Sequence, residues 1–346
     1  MIVTSPGSSY ISRPELEGVA VVPLRLRGLR LYPSILQLAR IIRREKVDVI
    51  DAHGAVDQQV AMAARALAGR CAVVRTKHNH TLLRGALSRL TYTRWTDRII
   101  AISDYVRQRL LESGIPDDHV DVIPDAVYCQ RFSPRAERDE ARRRYGLPPD
   151  AFVVGSSSRP SPRKGLFVAA EAVARLRAQG IPAVWLAAGA GAREGARLME
   201  EFGVPPEAGR MLGLVEKVEE IFPALDAYVL PSLDEGLGKA LLEALACEAA
   251  VVASRVGGVP EVVTDGVNGL LVPPGDAGAL ADALKRIHAD RAFGRALAQA
   301  GRRRILDRFE IGRAVDVTLA CYERARSAAT GAKSSKEPEP AHLAPP

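Results

Sequence analysis

The sequence predicts an α/β protein of two doubly wound lobes facing a cleft, and three observations carry that expectation. Short apolar, β-branched runs alternate with longer stretches of helical periodicity, the pattern of parallel strands covered on both faces. The alternation breaks once, at the charged, proline-punctuated stretch "RFSPRAERDEARRRYGLPPD", and then restarts. With 346 residues, 47% of them apolar, there is chain enough for two domains of about 100–200 residues each.

The elements follow in order. "LYPSILQLARIIRREK" carries Ile35, Leu38, Ile41 and Ile42 at helical spacing beside a cationic flank. "KVDVIDAH" reads as a strand, "DQQVAMAARALAG" as a helix and "CAVVRTKH" as a strand. "LLRGALSRLTYTRW" is the next helix, then come strand "DRIIAIS", helix "DYVRQRLLESG" and strand "VDVIP". A boundary is expected near Asp125 to Pro134, giving lobes at 1–132 and 133–312. The second lobe runs through "AFVVGSSS", "GLFVAAEAVARLRAQG", "PAVWLAAG", "REGARLMEEFG", "AYVLPS", "KALLEALACE" and "AVVAS". A last helical pattern, about Ile311 to Arg326, has no strand after it. The Pro- and charge-rich residues 329–346 are expected to be a disordered tail.

Composition narrows the function classes. No stretch offers the about 18 apolar residues a membrane helix needs, and "MIVTSPGSSY" has no basic region followed by an apolar one, so a cytoplasmic protein without a signal peptide is expected. Cys71, Cys129, Cys247 and Cys321 form no CxxC pair and are expected to be reduced thiols. The net charge of +7 admits anionic partners. Arg25, Arg27, Arg30, Arg40, Arg43, Arg44 and Lys46 cluster around the first helix, which suggests either a peripheral site for an anionic membrane surface or an ordinary solvated face. With 5% aromatics, none interleaved with the basic run, nucleic acid is not an expected partner.

The chemistry concentrates in "LPSLDEGLGKALLEALA". Ligands of parallel α/β sheets sit beyond the carboxyl ends of strands, where helix N-termini present free N–H groups. Here a strand ends, Gly236 and Gly238 let the backbone approach a ligand, and a helix begins near Lys239. A diphosphate fits against the amides of Leu237, Gly238 and Lys239. Glu235 before the helix and Glu243 one turn inside it then reach hydroxyls on opposite sides of the phosphates, as a nucleotide sugar would offer. The plainer reading makes Glu235 a helix-dipole partner and Glu243 a surface residue. A second loop, "GSSSRPSPRKGL", places Arg159 and Lys164 after the first strand of the same lobe, two cations suited to phosphate oxygens or to a solvated loop. In the first lobe "VVRTKHNH" ends a strand on His78 and His80, and "DAHG" ends another on His53. The HxH pair has no third ligand at matched spacing, so no metal site is expected.

Together these motifs resemble the family 4 glycosyltransferases of the GT-B fold, over nearly the whole chain and most densely from Phe152 to Pro274. "VVASRVGGVPEVVTDGVNGLLVPPGD" is similar to that family's pattern almost residue by residue. The resemblance implies two Rossmann-like lobes, an acceptor-side N-terminal one and a nucleotide-sugar-binding C-terminal one, with a helix at 313–328 packing back towards the first. It implies a retaining, metal-independent transferase for which the nucleotide sugar is a substrate and no cofactor is required. Arg159, Lys164 and the amides of Leu237, Gly238 and Lys239 would hold the diphosphate, and Glu243 the ribose. Gly213 and Val215 would face the base, Glu235 and His78 would contact the sugar at the catalytic centre, and His53 would stand on the acceptor side. The basic first helix, rather than the resemblance, suggests that the glycan or lipid-linked acceptor, such as a lipopolysaccharide core, stands at the inner face of the membrane.

Three departures from the family pattern carry expectations of their own. The chain begins near the family's second strand, so the first β-loop-α unit is expected to be lacking and the N-terminal lobe truncated. The hinge reads "IPDAVY", with Ala126 where glycine is usual, and "CEAA" from Cys247 replaces a Gly-x-Pro turn. Rival readings are a nucleotide-sugar epimerase of similar shape and a truncated, non-catalytic sugar-nucleotide binder. The nicotinamide fingerprint is a poor match, since Gly189 and Gly191 are followed by Glu194 where the third glycine belongs and Gly195 falls one place late.

Overall fold

In the computed structural model, which describes residues 1–6, 8, 17–25, 31–69, 71–83 and 85–330 (the Ala192 side chain excepted), every strand pairing among the described residues is parallel. Two compact units result. Among the described residues one gathers Met1–Ile102, Val106–Ile123 and residues 316–330, the other Ser103–Tyr105 and Pro124–Val315.

The first unit opens with β1 (Ile2–Thr4), β2 (Val21–Pro23) and α1 (Leu31–Arg44). It continues through β3 (Val49–Ala52), α2 (Ala55–Ala68), β4 (Ala72–Lys77), α3 (Ala86–Thr93), β5 (Arg98–Ala101), α4 (Asp104–Glu112) and β6 (Val120–Val122). Its strands fall into two sheets, β1-β2 and β3-β4-β5-β6. The apolar stripe of α1 is spent on the core: Leu38, Ala39 and Ile42 pack with Val60 and Ala64 of α2. On its other side α1 exposes Tyr32, Arg40, Arg43 and Arg44 among others. Arg27 and Arg30 of the basic cluster, and the tail at 331–346, lie outside the described residues. No described helix is long and apolar enough to cross a membrane.

The second unit holds α5 (Arg138–Arg144), β7 (Phe152–Ser157), α6 (Leu166–Ala178), β8 (Ala183–Ala188), α7 (Ala192–Glu201) and β9 (Gly209–Gly213). Then come β10 (Ala227–Leu230), α8 (Lys239–Ala246), β11 (Val251–Ser254), α9 (Val259–Val262), β12 (Leu270–Val272), α10 (Ala277–Ala289) and α11 (Arg291–Arg308). The sheet order is β12-β11-β10-β7-β8-β9, so the winding reverses between β7 and β10. In such a sheet the ligand crevice opens beyond the carboxyl ends of the two strands at the reversal. The strands are continuous apolar runs because helices cover both faces: Phe152, Val154, Trp185, Val229 and Val252 share one core with residues of α6 and α10. Asp276 and Asp290 cap α10 and α11, accepting from the N–H groups of Ala279 and Phe293 at 2.9 Å each.

The last helix, α12 (Ile311–Thr330), returns to the first unit, where Cys321 and Ala325 are buried against Ala72, Val74, Ile100 and Ile123. All four cysteines are free and buried. At the hinge, Ala126 is not among the described residues with positive φ. Within "CEAA", Glu248 takes a left-handed conformation at φ 60°, one that glycine adopts more readily.

Candidate functional site

The expected donor-site residues of the second unit lie along one edge of its sheet. β7 leads through Ser158 and the exposed Arg159 into a short turn, Pro162–Lys164, and then into α6. β10 leads through Pro231 to Leu237 into α8, which starts at Lys239 and has no side-chain cap. Its first N–H groups therefore lack intrahelical partners and give the loop a partial positive charge. The two loops meet closely. A Cβ on Gly165 would lie 2.0 Å from the carbonyl oxygen of Pro231, so only glycine fits there. Leu233 N donates to the Arg163 carbonyl at 2.8 Å, and Arg163 stands 3.5 Å from Asp234.

Lys164 and Glu235 come together directly. The Lys164 ammonium donates to Glu235 Oε1 at 2.6 Å, and the Ser232 hydroxyl donates to the same oxygen at 2.9 Å. Leu237 is buried and anchors the loop, while Gly238, at φ 100°, turns it into α8. Glu243 is half-buried on α8. Beneath these loops Tyr228 of β10 is fully buried, and its hydroxyl shares a 2.9 Å hydrogen bond with Ser157 at the end of β7. Burial first, and then the charges of Glu243 and Glu235, push this phenol well above its ordinary range, so it stays protonated.

The same edge continues outward to the expected base-facing loop. Gly189 N, after β8, donates to the Gly213 carbonyl at 2.6 Å, and Gly213 N donates back to Ala190 at 2.9 Å. A Cβ on Gly189 would lie 2.4 Å from the Ser158 carbonyl. Thus Gly213, Gly189 and the Ser158–Arg159 backbone form a chain of contacts, with Val215 half-buried just beyond.

Sequence reasoning missed the support beneath this loop. After β11, a Cβ on Gly257 would lie 1.8 Å from the Glu235 carbonyl, and one on Gly258 would lie 2.2 Å from that of Gly236. The "GG" pair within "SRVGGVP" was the available signal.

In the first unit His53 follows β3 and His78 follows the neighbouring β4. Their rings stack with centroids 5.1 Å apart, and His53 Nδ1 lies 2.8 Å from His78 Nε2. Asp51 stands behind them, 3.6 Å from His53 Nε2, and accepts from Tyr322 at 2.8 Å and from the Thr76 hydroxyl at 2.8 Å. Asp51 and Tyr322 were not expected in this role, because the second joins only through a helix 271 residues away. Both histidines line a cavity of about 580 Å³. No three His, Cys, Asp or Glu side chains among the described residues gather as a metal ion would need.

Comparison with known proteins follows the same division. Residues 2–131 match the family described as Glycosyltransferase Family 4, and residues 148–290 that described as Glycosyl transferases group 1. A D-inositol 3-phosphate glycosyltransferase of Saccharomonospora viridis is 34% identical over 255 residues, covering 68% of this chain and 57% of that protein. A GDP-mannose-dependent alpha-(1-6)-phosphatidylinositol monomannoside mannosyltransferase of Mycolicibacterium smegmatis is 32% identical, covering 70% of this chain and 68% of that protein. The chain spans little more than half the length of the inositol phosphate glycosyltransferases it matches, 57% and 58% in two of them. Among solved structures, a glycosyltransferase from Rickettsia africae ESF-5 aligns with a TM-score of 0.80 at 20% identity, covering 94% of this chain and 89% of that one. Anabaena Alr3699/HepE, solved with UDP-glucose, aligns with a TM-score of 0.78 at 21% identity, covering 89% and 88%. At these identities the structures speak to the fold alone, and that fold is GT-B with Rossmann-like lobes.

Proposed function

The chain belongs to glycosyltransferase family 4, and from that premise we propose that it moves a sugar from a nucleotide-sugar donor to an acceptor hydroxyl, with retention of configuration and without a metal ion. The observation that carries this reading is the meeting of the Lys164 loop with the Glu235 loop and the uncapped start of α8, at the reversal of the sheet. Lys164, Arg159 and the amides of Leu237, Gly238 and Lys239 would neutralise the diphosphate as it leaves, a stabilisation of the oxyanion-hole kind. Lys164 is held by Glu235 beforehand, so an arriving diphosphate competes for the ammonium and releases the carboxylate towards a sugar hydroxyl. Glu243 takes the ribose, and Gly213 and Val215 take the base. His78 and His53 are assigned the sugar-contacting and acceptor-side work of the first unit.

The relatives named above act on inositol phosphate and on a phosphatidylinositol mannoside, which supports a polyhydroxylated acceptor here, either a cyclitol phosphate or a lipid-linked glycan. The exposed Arg40, Arg43 and Arg44 of α1 suit peripheral binding to an anionic membrane that carries such a lipid. The test is a transfer assay with labelled UDP-glucose and GDP-mannose against both acceptor classes. Losing one partner of an oxyanion costs about 3–4 kcal/mol, so Lys164→Ala and Arg159→Ala are each expected to lower turnover by at least about a hundredfold with unchanged circular dichroism. Variants that transfer sugar at the parental rate refute the assignment.

A further inference from the structure

The four-stranded sheet of the first unit carries polar side chains at both of its ends. His53 and His78 follow the carboxyl ends of β3 and β4. In the parallel register Val74 faces Arg98 and Lys77 faces Ala101. Arg98, the first residue of β5, therefore stands at the opposite, amino end. A cavity of about 320 Å³ opens there, between the end of α3, the start of β5, the turn before β6 and α12. Ala328 is the only apolar residue among those that line it.

Charge decides what such a cavity suits. Arg94, Arg98, His119 and Arg324 line it, facing the carboxylates of Asp97 and Asp118. Asp97 is already committed, accepting from Arg65 at 2.6 Å and from the Val73 amide at 2.7 Å. Behind the wall, the fully buried Asp121 accepts from Arg98 Nε at 2.9 Å and from Arg324 Nη2 at 2.7 Å. The guanidiniums of Arg65, Arg94, Arg98 and Arg324 thus meet only the carboxylates of Asp97, Asp118 and Asp121. One positive charge is in excess before His119 is counted.

Hydrogen bonding points the same way. Nε and Nη1 of Arg324 are closed off from solvent and have no hydrogen-bond partner. Leaving a buried charged donor unmet is costly, and such a group calls for a water or an ion beside it. An ion-pair clamp accounts for Asp121 between its two arginines. It does not account for Arg94, for the open volume or for the unmet N–H groups.

We propose that this cavity binds a small phosphate-class dianion, inorganic phosphate or a phosphate monoester, and that the anion fastens α12 to the amino end of the sheet. Guanidinium N–H groups match the oxygens of such an anion in both geometry and charge. The volume lies at the lower end of the range for ligand sites, about 300–1,000 Å³, which suits a small ion or metabolite. Tyr322, two residues before Arg324, reaches Asp51 behind the histidine pair. The anion would therefore steady the strand that ends at His53 without entering the cavity beside it. The inference stands on this end of the first unit and does not depend on the transfer reaction.

The test is a titration of the isotope-labelled full chain with inorganic phosphate at constant ionic strength, read by NMR at assigned backbone amides. Saturable shifts are expected at Thr96, Arg98, His119 and Arg324, and they should persist in Lys164→Ala, which separates them from phosphate bound in the second unit. Arg94 is exposed, and Arg94→Gln should weaken binding at these amides about tenfold with the fold intact. Asp118→Asn removes a repelling carboxylate and should tighten binding about threefold. Arg40→Gln takes the same charge from α1 and should leave the constant unchanged. Glycerol 3-phosphate is titrated alongside: tighter binding of the ester supports the site with a phosphorylated metabolite as its occupant, and equal or weaker binding supports it with the free ion. Shifts that do not saturate, shifts confined to the Arg159–Lys164 loop, or a constant that Arg94→Gln leaves unmoved overturn the proposal.

Discussion

Lys77 shows how much a single side chain is made to bear at the end of a buried strand. It is the last residue of β4, directly before His78, and its ammonium donates to Asn79 at 2.7 Å. Burial first, and the Arg75 charge second, push it down to about 8 from the ordinary 10.5. The folded state therefore binds fewer protons than the unfolded one between those values, and stability rises with pH across that window. Below pH 8 the charged form carries its full desolvation cost. Lys77→Met, which keeps the length and removes the charge, is expected to stabilise the chain at pH 7 by at most about 3 kcal/mol. That gain should shrink as the pH is raised towards 10. Urea unfolding of both proteins at pH 7 and pH 9.5 checks it, and a difference that stays constant would rule out the burial of charge as its cause.

Among elements, the strands and loops differ in how much of them can be read from residues alone. β7, β8, β10 and β11 are legible because a strand covered on both faces must be apolar throughout, and each is a short apolar run set between longer helical patterns. β9 was not, since "GRMLG" is half-buried along its length and bounded by glycines. α5 passed for linker because its sequence is almost wholly charged, yet Arg142 within it is buried against Asp226 at 2.7 Å. Paired charges can enter a core, but no periodicity announces it. At the site, the residue types of the Arg159–Lys164 and Glu235–Glu243 loops were legible. Which cation meets which carboxylate was not, because that depends on the closeness of two loops about seventy residues apart. Gly165 sets that closeness. In Gly165→Ala the new Cβ would strike the Pro231 carbonyl, in a residue already at φ 60°, so the loops must part. The expected outcome is a nucleotide affinity lowered about tenfold or more, with the global unfolding midpoint moved only slightly by a strain of about 1–2 kcal/mol. Calorimetric titration with UDP and GDP, set beside a melting curve, separates the two; unaltered affinity would show that the loops do not need this contact.

For the molecule as a whole, chain order and unit membership part company at the last helix. Ile311 to Val315 are grouped with the second unit, while the rest of α12 closes the core of the first. Its hold there is both apolar and ionic. Asp121, whose side chain is fully buried, is paired with Arg98 at 2.8 Å and with Arg324 at 2.7 Å. Tyr322 reaches Asp51 behind the histidine pair. Removing the chain from Asp316 would uncover Ala72, Val74, Ile100 and Ile123 and leave Asp121 with one counter-ion instead of two. Breaking a buried pair costs about 3–5 kcal/mol, against a total of about 5–15 kcal/mol for a typical domain. The first unit should then melt separately and earlier, turning a single calorimetric transition into two, while the second keeps its midpoint. Arg324→Met, which spares the apolar contacts, should show a smaller shift in the same direction. A truncated chain that still melts as one unit at the parental temperature would mean that α12 adds nothing to the first sheet, and that its burial there does not stabilise the strands on which His53 and His78 stand.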